Sequence, residues 1–209
     1  MTNPNRSDIT ILLDRSGSME SLKHDVEGGF AALLAEQRKL PGECALSLVQ
    51  FDSQAIEALY TAVPIKWAPE LRLVPRGSTP LLDAVGSTIV KTGERFAALS
   101  EAERPGRVLF VIITDGLENA SKEYGKAEVR ALVERQRRDY RWEFLYLGAN
   151  VDAFAEAGAM GIARECAAAY EPTPSGAHHV FAVASAKLAS HRRGAGIAFT
   201  EKERKNLKS

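Results

Sequence analysis

The sequence predicts an α/β fold: a doubly wound, mostly parallel six-stranded sheet with one antiparallel edge strand and helices on both faces. Three observations lead there. Short apolar runs alternate with helix-period segments along the 209 residues, the arrangement that builds parallel strands with crossover helices. The most apolar run, Val108 to Ile113, holds six consecutive apolar residues, the profile of a strand covered on both faces. After a turn at Asp52-Ser53, the strand Cys44 to Phe51 is followed at once by a second strand-like run, Ala55 to Val63. That run is the hairpin partner, placed antiparallel at the sheet edge.

The elements follow in order. Ile9 to Leu13 is a buried strand. A helix spans about Ser21 to Leu40, with Leu22, Val26, Phe30, Leu33, Leu34 and Gln37 near one face, and Pro41-Gly42 ends it. Within Cys44 to Phe51, Leu46, Leu48 and Val49 are too apolar for a solvated edge. Pro64 to Pro75 is irregular, with three prolines and an isolated Trp67. Arg76-Gly77-Ser78-Thr79-Pro80 is a turn that leads into a helix starting at Pro80. The buried stripe of that helix is Leu81, Leu82, Val85, Ile89 and Phe96. The strand Arg107 to Thr114 ends at Thr114-Asp115-Gly116. Lys126 to Asp139 is a charged amphipathic helix, with Val129, Leu132 and Val133 inward and Arg135, Arg137 and Arg138 on a solvated face. Trp142 to Leu147 is a strand closed by Gly148, and Asp152 to Gly158 is a short helix. Glu165 to Tyr170 is a weaker strand at the far edge. Ser175 to Ser190 is a last helix carrying Val180, Phe181, Ala184 and Leu188. Residues 1–199 read as one domain and 200–209 as a charged tail, which either frays or is held by a Thr200–Glu203 capping box.

Composition removes several functions. Lys+Arg and Asp+Glu both number 27, so the formal net charge is zero. The main electrostatic basis for a nucleic-acid or anionic-membrane partner is therefore missing. No apolar run approaches membrane-spanning length. The first eight residues show no basic segment leading into an apolar one, so no signal peptide is expected. The two cysteines, Cys44 and Cys166, both fall in predicted strands and are expected as free thiols. The expected location is the cytoplasm. His178, His179 and His191 have no other soft ligands for company and are assigned to surface or capping positions rather than to a metal.

The chemistry concentrates in Ile9-Thr-Ile-Leu-Leu-Asp14-Arg-Ser16-Gly-Ser18-Met-Glu20. A strand runs into an acidic residue and two alternate hydroxyls, while Gly17 lets the backbone turn sharply. Oxygen-only ligands in such a loop suit a hard divalent cation. Taken alone, the stretch equally admits a turn at Asp14 and a helix cap at Ser18. Thr79 likewise reads as an N-cap, and Asp115 as turn chemistry beside Gly116. Right-handed crossovers, however, bring every strand-to-helix loop to one sheet edge, where ligands bind in open α/β sheets. The loops of Asp14, Ser16 and Ser18, of Thr79, and of Asp115 can therefore meet.

Together, Asp14-x-Ser16-x-Ser18, Thr79 within Gly-Ser-Thr-Pro-Leu, and Asp115 within Ile-Thr-Asp-Gly resemble a von Willebrand factor type A domain. The resemblance runs from Ile9 to about His191 and implies a Rossmann-like fold with a metal-ion-dependent adhesion site. Its implied ligands are Asp14, Ser16, Ser18, Thr79 and Asp115, holding Mg²⁺, with Mn²⁺ or Ca²⁺ as alternatives. The implied function is a metal-dependent, non-enzymatic protein-binding module that captures an Asp or Glu carboxylate from a partner protein. Compact single-domain members of this kind also suggest an adaptor for an AAA+ ATPase. A structural part of a phage or other assembly, and a phosphohydrolase lacking any evident second metal cluster or base, are the remaining alternatives. Glu118 and Asn119, just beyond Asp115, are candidates for the rim of the site.

Overall fold

Apolar residues alternate along the central strands, and that alternation sorts the molecule into layers. The computed structural model describes residues 2–149 and 152–208. Six strands form one sheet: β1 (Asn3–Asp14), β2 (Glu43–Asp52), β3 (Ala55–Pro64), β4 (Pro105–Thr114), β5 (Glu143–Gly148) and β6 (Ala167–Ala169). Their spatial order is β3-β2-β1-β4-β5-β6. Every neighbouring pair is parallel except β2 with β3, which is antiparallel.

The helices are α1 (Lys23–Arg38), α2 (Leu81–Ala97), α3 (Lys126–Tyr140), α4 (Ala153–Ala159), α5 (Pro174–Arg192) and α6 (Glu201–Asn206). Ile9, Ile11 and Leu13 of β1 and Leu109, Val111 and Ile113 of β4 face one core, closed by α1 and α5. Leu12, Phe110 and Ile112 face the other, closed by α2, α3 and α4. Successive side chains on opposite faces, all apolar, explain why β4 reads as an unbroken hydrophobic run. Phe30 of α1 meets Phe181 of α5 edge to face, with ring centroids 6.2 Å apart. Gln37 Nε2 ties the same two helices by donating to the Ser185 carbonyl at 2.8 Å.

Chain order reverses direction between β1 and β4: β2 and β3 lie to one side of β1, and β4, β5 and β6 to the other. The crevice at such a reversal, outside the carboxyl ends of the strands, is the ligand position of open α/β sheets. Asp14 ends β1 and Asp115 directly follows β4, so both lie at that crevice.

Several local expectations are corrected. The helix after β1 does not begin at Ser21. Residues Gly17–Leu22 form a 3₁₀ turn first, and the α-helix starts at Lys23. Pro80 is the N-cap of α2 rather than its first residue. Cys166 lies in a 3₁₀ turn, Arg164–Cys166, because β6 is only three residues long. His191 is buried, not at the surface: α5 runs on to Arg192 and carries its Nδ1 to 2.5 Å from Glu143 Oε2.

The charged C-terminal segment is helical and docked. The Thr200–Glu203 capping box is formed, and Leu207 is fully buried. Phe199 N–H donates to the Glu165 carbonyl at 2.8 Å, and Glu171 N–H donates to the Leu207 carbonyl at 2.9 Å. The Arg204 guanidinium reaches the carbonyls of Arg164 and Ala167. The segment thus covers the outer edge of β6, which would otherwise offer unpaired backbone groups. Among the described residues, no helix is long and apolar enough to cross a membrane.

Candidate metal centre

Asp14 is fully buried at the end of β1. Its Oδ1 accepts the Ser16 backbone N–H at 2.7 Å, which turns the chain, and its Oδ2 accepts the Thr114 hydroxyl at 2.6 Å. The turn then brings the two serine hydroxyls together, with Ser16 Oγ and Ser18 Oγ 3.1 Å apart. Ser18 Oγ crosses to the neighbouring loop and donates to Asp115 Oδ1 at 2.8 Å. Thr79 approaches from the third loop. A Cβ built on Gly116 would lie 3.3 Å from Thr79 Oγ1 and 4.0 Å from Ser18 Oγ. All five residues singled out in the sequence therefore converge at one point on the carboxyl edge of the sheet.

The capping roles that the sequence also allowed are only partly taken up. Asp14 does close a turn, through its bond to Ser16 N. Ser18 caps nothing, since the 3₁₀ turn and α1 have Ser16 and Leu22 at their N-caps, neither with a side-chain cap bond. Thr79 does not cap α2, whose N-cap is Pro80. The hydroxyls of Ser16, Ser18 and Thr79 face the crevice instead of serving helix ends.

The donor set suits a small hard cation. An octahedral Mg²⁺ with bonds of about 2.0–2.1 Å places adjacent oxygens roughly 2.9 Å apart. The separations of 3.1 Å and 2.8 Å across Ser16, Ser18 and Asp115 bracket that value. Burial pushes Asp14 up to about 6, against the hydrogen bonds from Thr114 and Ser16 that pull it down. Burial raises Asp115 as well, opposed by the Ser18 hydroxyl. Two carboxylates held out of water gain from a nearby cation. Among the described residues, no group of three or more His, Cys, Asp or Glu side chains is placed to hold a metal. An ion at this crevice would therefore depend on the three hydroxyls.

Other residues shape the site, two of them, Glu118 and Asn119, in ways their sequence position did not indicate. Thr114 steadies Asp14, as above. Asn119 clamps Thr79 at both backbone groups: its Oδ1 accepts Thr79 N–H at 2.9 Å, and its own N–H donates to the Thr79 carbonyl at 3.2 Å. Both carboxylate oxygens of Glu118 are taken up by backbone amides. Its Oε1 accepts the amides of Ala120 and Ser121, and its Oε2 accepts Leu82 N–H at 2.9 Å. Asp83 accepts three more amides, from Lys122, Glu123 and Tyr124. The loop after β4 is thereby fastened to the start of α2, which fixes Asp115 relative to Thr79. An Asx- or Glx-turn signal existed for Glu118 and Asn119, but nothing local points across to α2.

No protein-family profile and no curated protein sequence matches the chain. Solved structures do. A von Willebrand factor type A protein from Catenulispora acidiphila superposes with a TM-score of 0.60 at 15% identity, over 90% of this chain and 43% of that one. Proximal thread matrix protein 1 from the mussel byssus gives a TM-score of 0.60 at 10% identity, over 90% of this chain and 47% of that one. At identities this low, the superpositions show a shared fold alone. The chain spans less than half the length of either protein.

Proposed function

We propose that this chain, which has the von Willebrand factor type A fold, is a divalent-metal-dependent protein-binding module and not an enzyme. Asp14, Ser16, Ser18, Thr79 and Asp115 hold the ion, Mg²⁺ or Mn²⁺, and the filled site captures an Asp or Glu carboxylate of a partner protein. The observation that carries this reading is the convergence of three hydroxyls and two buried carboxylates from three separate loops, an all-oxygen set suited to a small hard cation.

The chain's own residues divide the work. Asp14 and Asp115 supply negative charge from two sides of the crevice, and Thr114 and Ser18 orient them. The serine and threonine hydroxyls are neutral. A dication coordinated largely by neutral oxygens keeps an unmet demand for anionic charge, which an incoming carboxylate satisfies. Ser18 is exposed while Ser16 and Thr79 are buried, so the open side of the site faces outward at Ser18.

Thermal unfolding tests the reading. Mg²⁺ or Mn²⁺ at roughly 100 times its dissociation constant should stabilise the native protein by about 2.7 kcal/mol over the EDTA-treated form. Asp14→Ala and Asp115→Ala should each lose most of that gain. Equal metal-dependent shifts in native protein and in Asp14→Ala would remove these residues from the site. Turnover of a phosphate ester with Mn²⁺ would overturn the non-enzymatic assignment.

A further inference from the structure

Beside the five candidate ligands lies a buried charge cluster that the metal reading does not use. Arg15, between Asp14 and Ser16, has a side chain only 5% exposed, and that of Asp52 is fully buried. Arg15 Nε meets Asp52 Oδ2 at 2.5 Å, and Arg76 Nε meets the same oxygen at 3.0 Å. Arg15 also donates to Glu57 Oε2 at 2.9 Å and to Gln50 Oε1 at 3.2 Å. Asp52 Oδ1 accepts the amides of Gln54 and Ala55. Its carboxylate is thus fully engaged and is no metal ligand.

The three members of the cluster come from three loops. Arg15 belongs to the Asp14 loop, Asp52 to the end of β2, and Arg76 to the loop that delivers Thr79. Backbone bonds follow the same seam: Arg76 N–H donates to the Arg15 carbonyl at 2.9 Å, and Gly17 N–H to the Gly77 carbonyl at 3.1 Å. Ser78 N–H donates to Ser53 Oγ at 3.0 Å. Gly77 has φ of +66°, and a Cβ there would fall 2.4 Å from Ser53 Oγ, so the approach of these loops is as close as a glycine permits. Among the described residues, none accepts a hydrogen bond from the buried Arg15 Nη2.

We infer that Asp52, by bridging Arg15 and Arg76, is a positioning residue for the metal centre that locks the Thr79 loop onto the Asp14-Ser16-Ser18 loop. This deepens the metal-binding reading and rests on it. Asn119 holds Thr79 from one side, and the Asp52 bridge holds its loop from the other. A dication with near-ideal octahedral demands gains affinity from oxygens fixed in advance, and supporting residues behind metal ligands typically contribute 10- to 100-fold.

The test uses Mn²⁺ alone, titrated calorimetrically into the full chain, and amide hydrogen exchange of Gly77, Ser78 and Thr79 in the metal-free protein. Asp52→Asn should raise the Mn²⁺ dissociation constant about 10-fold or more and speed exchange at the three amides. Arg76→Gln, whose side chain is 40% exposed, should act in the same direction more weakly, and it decides the matter if Asp52→Asn fails to fold. Arg95→Met breaks the part-buried Asp8–Arg95 pair in the middle of β1, away from the site. It should lower stability and leave Mn²⁺ affinity unchanged, separating positioning from general loosening. Native protein that binds no Mn²⁺ would overturn the metal reading itself. Folded Asp52→Asn that binds Mn²⁺ as tightly as native protein would overturn the positioning role alone.

Discussion

The Thr114 hydroxyl ends on a buried carboxylate, Asp14 Oδ2, at 2.6 Å. Thr114→Val keeps the shape and the β-branched fit to the strand, and it deprives that oxygen of its donor. The metal-free protein should lose about 1–3 kcal/mol in urea unfolding. An unchanged denaturation midpoint would show that Asp14 finds another partner. The thiols behave oppositely to a reactive site. Burial pushes Cys44 up to about 12 and Cys166 to about 11, and both are free. Iodoacetamide at pH 8 should therefore label neither in the folded protein and both after unfolding, as read by mass spectrometry.

What could be read ahead of the structure divides cleanly at this scale. Asp14, Ser16, Ser18, Thr79 and Asp115 were legible because residue type and short spacing already carry the chemistry. Thr114 and Asp52 were not, and Asn119 was legible as a rim candidate but not as the clamp on Thr79. Each acts on a partner far along the chain: Thr114 on Asp14 across 100 residues, Asn119 on Thr79 across 40, Asp52 on Arg15 across 37. His191 was assigned to a surface or capping position for the same reason, since its environment is set by Glu143, 48 residues away.

Among the elements, strand–helix alternation and the antiparallel β3 followed directly from apolar periodicity and the turn at Asp52-Ser53. Boundaries were less legible where tertiary contacts decide them. The stretch Gly17–Leu22 winds as a 3₁₀ turn, with Ser18 bonded to Ser16 within the loop and to Asp115 across the crevice. α3 ends on Arg141 with φ of +58°, a left-handed cap that a non-glycine residue adopts at a cost. Arg141→Gly should stabilise the protein by about 1 kcal/mol, visible as a higher urea midpoint at unchanged slope. The C-terminal segment is the larger surprise. Its charge density resembles a solvated tail, yet Leu207 alone is apolar there and fully buried. Leu207→Ala should cost about 2–5 kcal/mol. A loss near zero would mean that α6 is only resting on the sheet edge.

For the whole molecule, two carboxylates far apart, Asp52 and Glu203, contribute to the acid side of the stability profile. Burial alone would raise Asp52, but bonds from Arg76, the Gln54 amide, Arg15 and the Ala55 amide outweigh it and hold the group below its ordinary 3.8. Glu203, also partly buried, is held below its ordinary 4.5 by Lys187 and Thr200. A carboxylate with a lowered folded-state value binds protons more weakly folded than unfolded. Its stabilisation is thus complete above the unfolded value and is lost as pH falls through the folded one. Unfolding free energy should therefore decline below about pH 4, and Asp52→Asn should flatten that decline. An identical acid slope in the variant would mean that Asp52 carries none of it.

The layer order has a consequence in time. Asp14 and Asp115 bracket the site, so every candidate ligand has been synthesised once residue 115 is made. α1, however, leans on α5 through Gln37 and Ser185, 148 residues apart, and Phe30 waits equally long for Phe181. A growing chain thus possesses all of its site residues while one face of the sheet has α1 but still lacks α5. During that interval β1 and β4 carry Ile9, Ile11, Val111 and Ile113 without their full cover, which makes the nascent chain a natural client for chaperones until α5 is synthesised.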